Sequence, residues 1–149
     1  MRNENNKVYL KFPAITENER IARMMAAAFL SGLNPTIEEM DDVKTAVSEA
    51  VTNSIIHAYE EEAEKEKCQV EVWYIKRGRE IEIEVRDQGK GIEDVKQAME
   101  PLFTTKPKEE RSGMGFSFME AFMDQVEVTS ALGKGTKVVM KKTIGKQEV

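Results

Sequence analysis

The organising segment of the chain is Thr45-Ala46-Val47-Ser48-Glu49-Ala50-Val51-Thr52-Asn53-Ser54-Ile55-Ile56-His57-Ala58. It forms the second half of a predicted helix that begins near Thr36, where Thr36 and Glu39 have the spacing of a capping box. Apolar and small residues recur along this helix at helical spacing and predict a face packed against a core. They are Met40, Val43, Val47, Ala50, Val51 and Ser54.

Three polar residues of the same helix, Glu49, Asn53 and His57, are each four positions apart. They therefore stack along one edge of the apolar face. Polar residues at this spacing are most often a solvent-exposed face. A carboxylate and an amide at the margin of a core also suit a bound ligand, and the helix alone leaves both interpretations open.

The composition is that of one soluble globular domain, expected over residues 1–149. With 40% hydrophobic and 33% charged residues, the chain can bury a core without disulfides, and its single cysteine, Cys68, agrees with a reducing compartment. No apolar run approaches the ~20 residues of a membrane-spanning helix, and no signal-peptide pattern is present. We therefore expect a cytoplasmic protein with no membrane association. A net charge of −5 argues against direct nucleic-acid binding.

The remaining patterns predict an α/β (α+β) two-layer sandwich. Alternating residues indicate strands over 7–12, 68–75, 80–85, 126–129 and 136–142, and helical spacing indicates helices over 16–30, 36–58, 93–100 and 116–125. Residues 101–112 are predicted to be a loop. Since most successive strands form hairpins, we expect a mixed, mostly antiparallel sheet with helices on one face.

The first helix has end signals of its own. Thr16 and Glu19 again have capping-box spacing, and Gly32 is the expected C-terminal cap. Its predicted core-facing residues are Ile21, Met24, Met25, Ala28 and Phe29.

Two glycine-rich motifs lie in the second half of the chain. The first, residues 87–91, follows a strand and contains Asp87, which can accept a hydrogen bond from an exocyclic amine, and glycines, which let a ligand approach the backbone. The second, residues 113–115, precedes a helix whose free N–H groups can bind an anion, beside the positive charge of Arg111. Taken singly, the first motif is also a common turn and Arg111 also fits an exposed loop residue.

Taken in order, residues 48–59, 87–91, 111–116 and 133–136 resemble the N box and the three glycine boxes of the GHKL ATP-binding family, to which gyrase and histidine kinases belong. That resemblance implies the Bergerat ATP-binding fold. Residues 48–59, 101–107 and 111–116 look like the anti-sigma factor serine kinases of spore-forming bacteria, in particular those that act on a sporulation sigma factor of the sigma F type. The resemblance covers nearly the whole chain.

The resemblance also implies roles for individual residues. Asp87 would bind the adenine amino group, with Thr136 as a second adenine contact. Asn53 would ligate Mg²⁺ together with the phosphates of ATP or ADP. Glu49 would act as the catalytic base toward a serine hydroxyl, with Arg111 as a second catalytic residue at the terminal phosphate. Further implied nucleotide-binding positions are Gly89, Gly91, Thr104, Thr105, Lys106, Ser112, Gly113, Met114, Gly115 and Phe116.

The function implied by the resemblance is that of an ATP–Mg²⁺-dependent serine kinase, expected as a homodimer, that inhibits a sigma factor and phosphorylates its anti-anti-sigma factor. Arg23 matches a partner-binding arginine of the first helix, although a solvated helix face is the competing interpretation. The alternatives are a stress-response (sigma B type) anti-sigma kinase, a histidine-kinase ATPase module, and a protein that binds nucleotide without phosphotransfer. The presence of Glu49 argues against the last of these.

Overall fold

The computed structural model describes residues 5–100 and 115–145. Its elements are, in order, β1 (Asn6–Pro13), α1 (Glu17–Leu30), α2 (Ile37–Asn53), a π-helical turn (Ser54–Ala58), β2 (Gln69–Arg77), β3 (Glu80–Asp87), α3 (Val95–Ala98), α4 (Gly115–Phe122), β4 (Gln125–Ser130) and β5 (Thr136–Thr143). Short 3-10 helices lie at Ser31–Leu33 and Lys65–Lys67. None of the described helices is long and apolar enough to cross a membrane.

The five described strands form one sheet in the order β1-β2-β3-β5-β4, and each neighbouring pair is antiparallel. The sheet is therefore antiparallel throughout its described part. Because β5 lies between β3 and β4, the start of β5 is next to both the end of β3 and the end of β4.

The helices cover one face of this sheet, as predicted for a two-layer sandwich. Helix α2 lies between α1 and α4 and packs against both. The core between the layers is formed from the alternate residues of each strand and the apolar faces of the helices. Its largest fully buried side chains are Tyr74, Leu30, Ile81, Ile83, Met119, Met140 and Ile144.

Helix α2 begins at the predicted capping box. The Glu39 N–H donates to Thr36 Oγ1 at 3.0 Å, and the Thr36 N–H donates to Glu39 Oε1 at 2.9 Å. The Glu39 carboxylate also accepts a hydrogen bond from the Gly145 N–H, which ties the end of the sheet to the helix. Burial alone would raise the pKa of Glu39, but these backbone hydrogen bonds outweigh it and lower that pKa.

Two predictions for the ends of α1 are wrong. Thr16 makes no capping hydrogen bond, because its backbone is already helical (φ −54°, ψ −38°), whereas a capping residue is extended. The Asn18 amide donates instead to the Pro13 carbonyl at 2.9 Å. At the other end Gly32 lies inside a 3-10 turn, and the left-handed residue that ends the helix is Asn34 (φ 51°).

The buried face of α1 also differs from the predicted one. Ile21 and Met24 are 52% and 54% exposed, while Ala22, Ala26 and Leu30 are buried. Of the other predicted core-facing residues, Met25 and Phe29 are partly buried and pack against the core, whereas Ala28 is exposed. Helix α1 therefore presents an apolar outer surface that hydropathy alone places in the core.

Candidate functional site

A cavity of about 340 Å³ opens between the end of α2, the loop after β3, helix α3, the described start of α4 and the β4–β5 hairpin. This volume is in the range of small-molecule sites. Six residues predicted to bind nucleotide line its wall: Asn53, Asp87, Gly91, Gly115, Phe116 and Thr136. His57 also lines it, so two of the three polar residues spaced along the edge of α2, Asn53 and His57, face the cavity.

Directly after Asn53, helix α2 changes into the π-helical turn. Such turns widen the helix and are frequent at functional sites. Within this turn the Ser54 hydroxyl donates to Asp87 Oδ2 at 2.9 Å, and the Ala58 carbonyl accepts a hydrogen bond from the Lys90 N–H at 2.9 Å. The end of α2 and the first glycine-rich loop are therefore connected at two points.

Asp87 is the buried acid of the site, with only 4% of its surface exposed. Its carboxylate accepts hydrogen bonds from Ser54 Oγ at 2.9 Å and from the Gly89 N–H at 3.0 Å. Burial raises the pKa of Asp87, although the interactions of its carboxylate with the Gly89 backbone, Ser54 and the Thr136 backbone act in the opposite direction. The two donors come from the π-helical turn and from the loop after β3, and they fix the orientation of a carboxylate at the cavity wall.

The glycines of the first glycine-rich loop are needed for contacts within the protein. A Cβ atom on Gly89 would lie 2.3 Å from the Ala58 carbonyl oxygen, and one on Gly91, whose φ is +79°, would lie 2.0 Å from the Ala131 carbonyl oxygen. Gly89 does not line the cavity. At Gly89 the close approach seen in the structure is that of the backbone of the π-helical turn, and nucleotide contact by Gly89 stays a prediction.

The Tyr59 hydroxyl connects the same loop to the start of β2. Its hydroxyl donates to the Gln69 carbonyl and accepts a hydrogen bond from the Gln88 N–H, both at 2.7 Å. Burial raises the pKa of Tyr59. Sequence analysis did not identify Tyr59 as part of the site, and it assigned Ser54 only to the core. The sequence did contain a signal for Ser54: it is a hydroxyl side chain within the apolar face of the helix, next to Asn53.

Thr136 lies beside Asp87 in the β3–β5 register and beside Ser130 in the β4–β5 register. The Ser130 hydroxyl is within 2.8 Å of Thr136 Oγ1, the Gly135 carbonyl and the Ile92 amide nitrogen. Sequence analysis missed Ser130, because its position opposite Thr136 depends on how the strands pair.

The other predicted site residues are placed as follows. Glu49 is partly buried one turn before Asn53 on α2 and does not line the cavity. Arg23 on α1 pairs with Glu19 at 2.8 Å, and its side chain is 34% exposed. Seven predicted residues lie outside the described part of the chain: Thr104, Thr105, Lys106, Arg111, Ser112, Gly113 and Met114. Within the described part, no three His, Cys, Asp or Glu side chains are grouped to hold a metal ion.

Comparison with known proteins gives consistent results. The profile of the histidine kinase-like ATPase domain matches residues 12–142. The chain is 56% identical over 137 residues to the anti-sigma F factor of Clostridium acetobutylicum, covering 92% of this chain and 93% of that protein. It is 49% identical over 143 residues to the anti-sigma F factor of Oceanobacillus iheyensis, covering 96% of each.

Two solved structures share the fold. One contains the RsbU and RsbW domains of a Mycobacterium tuberculosis protein, with a TM-score of 0.65 and 14% identity over 95% of this chain and 33% of that one. The other is the SiaB–SiaC complex of Pseudomonas aeruginosa, with a TM-score of 0.62 and 12% identity over 92% of this chain and 89% of that one. From the domain match and the near full-length identity to several curated relatives, we conclude that the chain belongs to the histidine kinase-like ATPase family and, within it, to the anti-sigma F factors.

Proposed function

We propose that this protein binds ATP in the cavity at Asp87, inhibits a sporulation sigma factor of the sigma F type, and phosphorylates a serine of the matching anti-anti-sigma factor. The observation that carries the nucleotide part is the buried Asp87 carboxylate, held in place by two donors at the wall of a cavity of about 340 Å³. The sigma factor part is supported by the names of the relatives.

The cavity suits an adenine base. A fixed carboxylate is an acceptor for an exocyclic amine. Apolar side chains on the surrounding wall can contact the faces of a planar ring, since the wall includes Ala58, Ile92, Leu132 and Val138. Polar and apolar groups are thus arranged as in typical cofactor sites, with a few oriented polar atoms among apolar ones.

Asn53 is the proposed protein ligand of Mg²⁺. Mg²⁺ is usually bound by one or two protein oxygens, with phosphates and water completing the octahedron, so a single amide at the cavity wall is compatible with it. When bound, the ion would neutralise charge on the phosphates. Asn53 would thereby orient the triphosphate end of the nucleotide.

Glu49 is the proposed general base. It lies one helical turn before Asn53, at the edge of α2 that leads to the cavity. A carboxylate there can accept the proton of a substrate serine hydroxyl as that oxygen attacks the terminal phosphorus of ATP. The bond from that phosphorus to the β,γ-bridging oxygen breaks, and ADP is the leaving group. Arg111 is proposed to stabilise the charge on the transferred phosphoryl group.

The outer surface of α1 is the proposed partner-binding surface. Ile21 and Met24 are more than half exposed there, and Arg23 lies between them in sequence. An exposed apolar pair beside an arginine is the composition expected of a protein interface. We further propose that the protein acts as a cytoplasmic homodimer.

The test is transfer of labelled γ-phosphate from ATP–Mg²⁺ to the anti-anti-sigma factor, with wild type, Glu49→Gln and Lys44→Gln. Glu49→Gln keeps the side-chain volume but removes the base, and we expect a rate at least 100-fold below wild type. Lys44→Gln, on the same helix, serves as the control and should retain activity. Label on histidine instead of serine, or no transfer by the wild type, would contradict the proposal.

A further inference from the structure

One carboxylate and two hydroxyl groups lie close together where β3, β5 and β4 run side by side. Asp87, Thr136 and Ser130 occupy successive positions across these strands. Asp87 and Thr136 line the cavity, whereas Ser130 lies behind Thr136 and is partly buried. The donor or acceptor role of each oxygen determines which ligand groups it can bind at this end of the cavity.

The Ser130 hydroxyl has one proton and two lone pairs. The Gly135 carbonyl, 2.8 Å away, can only accept, so Ser130 donates its proton there. The Ile92 N–H can only donate, and it occupies one lone pair of Ser130 Oγ at 2.8 Å. The remaining contact, with Thr136 Oγ1 at 2.8 Å, therefore takes its proton from Thr136.

Thr136 thus has no proton left for a ligand and offers only lone pairs. The same holds for Ser54, whose proton is donated to Asp87 Oδ2. An ionised Asp87 carboxylate also only accepts. Every side-chain oxygen of this group that a bound base could meet is accordingly an acceptor.

We propose that Ser130 is a specificity-determining positioning residue, which holds the Thr136 hydroxyl as an acceptor and so makes the site prefer a 6-aminopurine nucleotide over a 6-oxopurine one. The inference rests on the proposed ATP binding and adds the residue that enforces the choice of base. A 6-amino group supplies hydrogens to these acceptors. A 6-oxo base has only its single N1–H to offer on this edge and places the 6-oxo acceptor beside it, so at least one of the two oxygens, of Asp87 or Thr136, is left facing another acceptor.

Replacement of Ser130 by alanine removes the acceptor of the Thr136 proton. Thr136 can then turn its proton toward the ligand and donate to a 6-oxo group. The variant also leaves the Ile92 N–H and the Gly135 carbonyl without this partner, which weakens the loop for either nucleotide alike. The ratio of the two affinities therefore separates a change in base preference from a general loss of structure.

The experiment measures dissociation constants of ATP and of inosine triphosphate with Mg²⁺ by titration calorimetry. Inosine triphosphate carries the 6-oxo group without a 2-amino group. We expect wild type to prefer ATP, and Ser130→Ala to lower that preference about fivefold, the equivalent of one net hydrogen bond. Ser130→Thr keeps the hydroxyl and should restore the preference. Thr129→Ala, on the exposed side of the same strand, is the control and should not change it.

An unchanged ratio in Ser130→Ala, with ATP still bound by the wild type, overturns this inference and leaves the proposed function intact. Absence of ATP binding by the wild type overturns both. A second variant checks the route through Thr136. In a Thr136→Val background, Ser130→Ala should have no further effect on the ratio, and a persisting effect would show that Ser130 acts without Thr136.

Discussion

The hydrogen bond between Ser54 and Asp87 lends itself to a quantitative test of how the site is built. Ser54→Ala removes one of two donors to a carboxylate that is 4% exposed. A hydrogen bond to a charged group contributes about 1.5–3 kcal/mol, and a neutral one about 1 kcal/mol. The variant should therefore lose about 2 kcal/mol of unfolding free energy when Asp87 is ionised, and about 1 kcal/mol when it is protonated.

The sign of the pH dependence follows from the raised pKa of Asp87. A carboxyl group whose pKa is higher in the folded state than in the unfolded state binds more protons when folded, so its contribution to stability falls as pH rises between the two values. Loss of the Ser54 donor raises the folded-state pKa further. The destabilisation caused by Ser54→Ala should consequently grow as pH rises from the folded-state pKa of Asp87 in the wild type to the higher one in the variant, and level off above it.

The assay is urea unfolding of wild type and Ser54→Ala at several pH values from acid to pH 8. Asp87→Asn provides the matched background, since it cannot ionise. There, Ser54→Ala should cost about 1 kcal/mol at every pH. A destabilisation of equal size at all pH values in both backgrounds would refute the claim that Ser54 supports a buried charge.

Two further predictions concern neighbouring residues. Gly89→Ala places a Cβ atom 2.3 Å from the Ala58 carbonyl, so it should cost about 1–3 kcal/mol in thermal or urea unfolding, whereas Gly32→Ala, with no atom within 4 Å, should stay within about 0.5 kcal/mol. Equal effects of the two substitutions would contradict the packing argument. Asn53→Ala should reduce the gain in ATP affinity on adding Mg²⁺ and leave Mg²⁺-free binding nearly unchanged, as measured by calorimetry. An unaltered Mg²⁺ dependence would remove Asn53 from the ion's ligands.

Patterns among neighbouring residues correctly predicted the elements that depend on interactions between residues close together in the chain. The capping box of Thr36 and Glu39 needs only four successive residues, and it forms as expected. The alternation in β2 and β3 likewise specifies which side chains of those strands face the helices. The order of the four motifs further predicted that Asn53, Asp87 and Thr136 would meet, and they line one cavity.

The predictions that failed or were missed depend on tertiary contacts. Periodicity placed Ile21 and Met24 in the core, but Ala22, Ala26 and Leu30 occupy the buried face of α1, and Ile21 and Met24 are exposed. The π-helical turn that contains Ser54 has no hydropathy signal, and its hydrogen bonds to Asp87 and to the Lys90 N–H join residues far apart in the sequence.

The most direct test of the central claim is the affinity for ATP–Mg²⁺ of wild type and Asp87→Asn, measured by titration calorimetry. If Asp87 holds the adenine amino group, wild type binds ATP and Asp87→Asn loses at least tenfold in affinity while remaining folded. Equal affinity in the two proteins would contradict the account, because the base would then bind elsewhere than at the buried carboxylate.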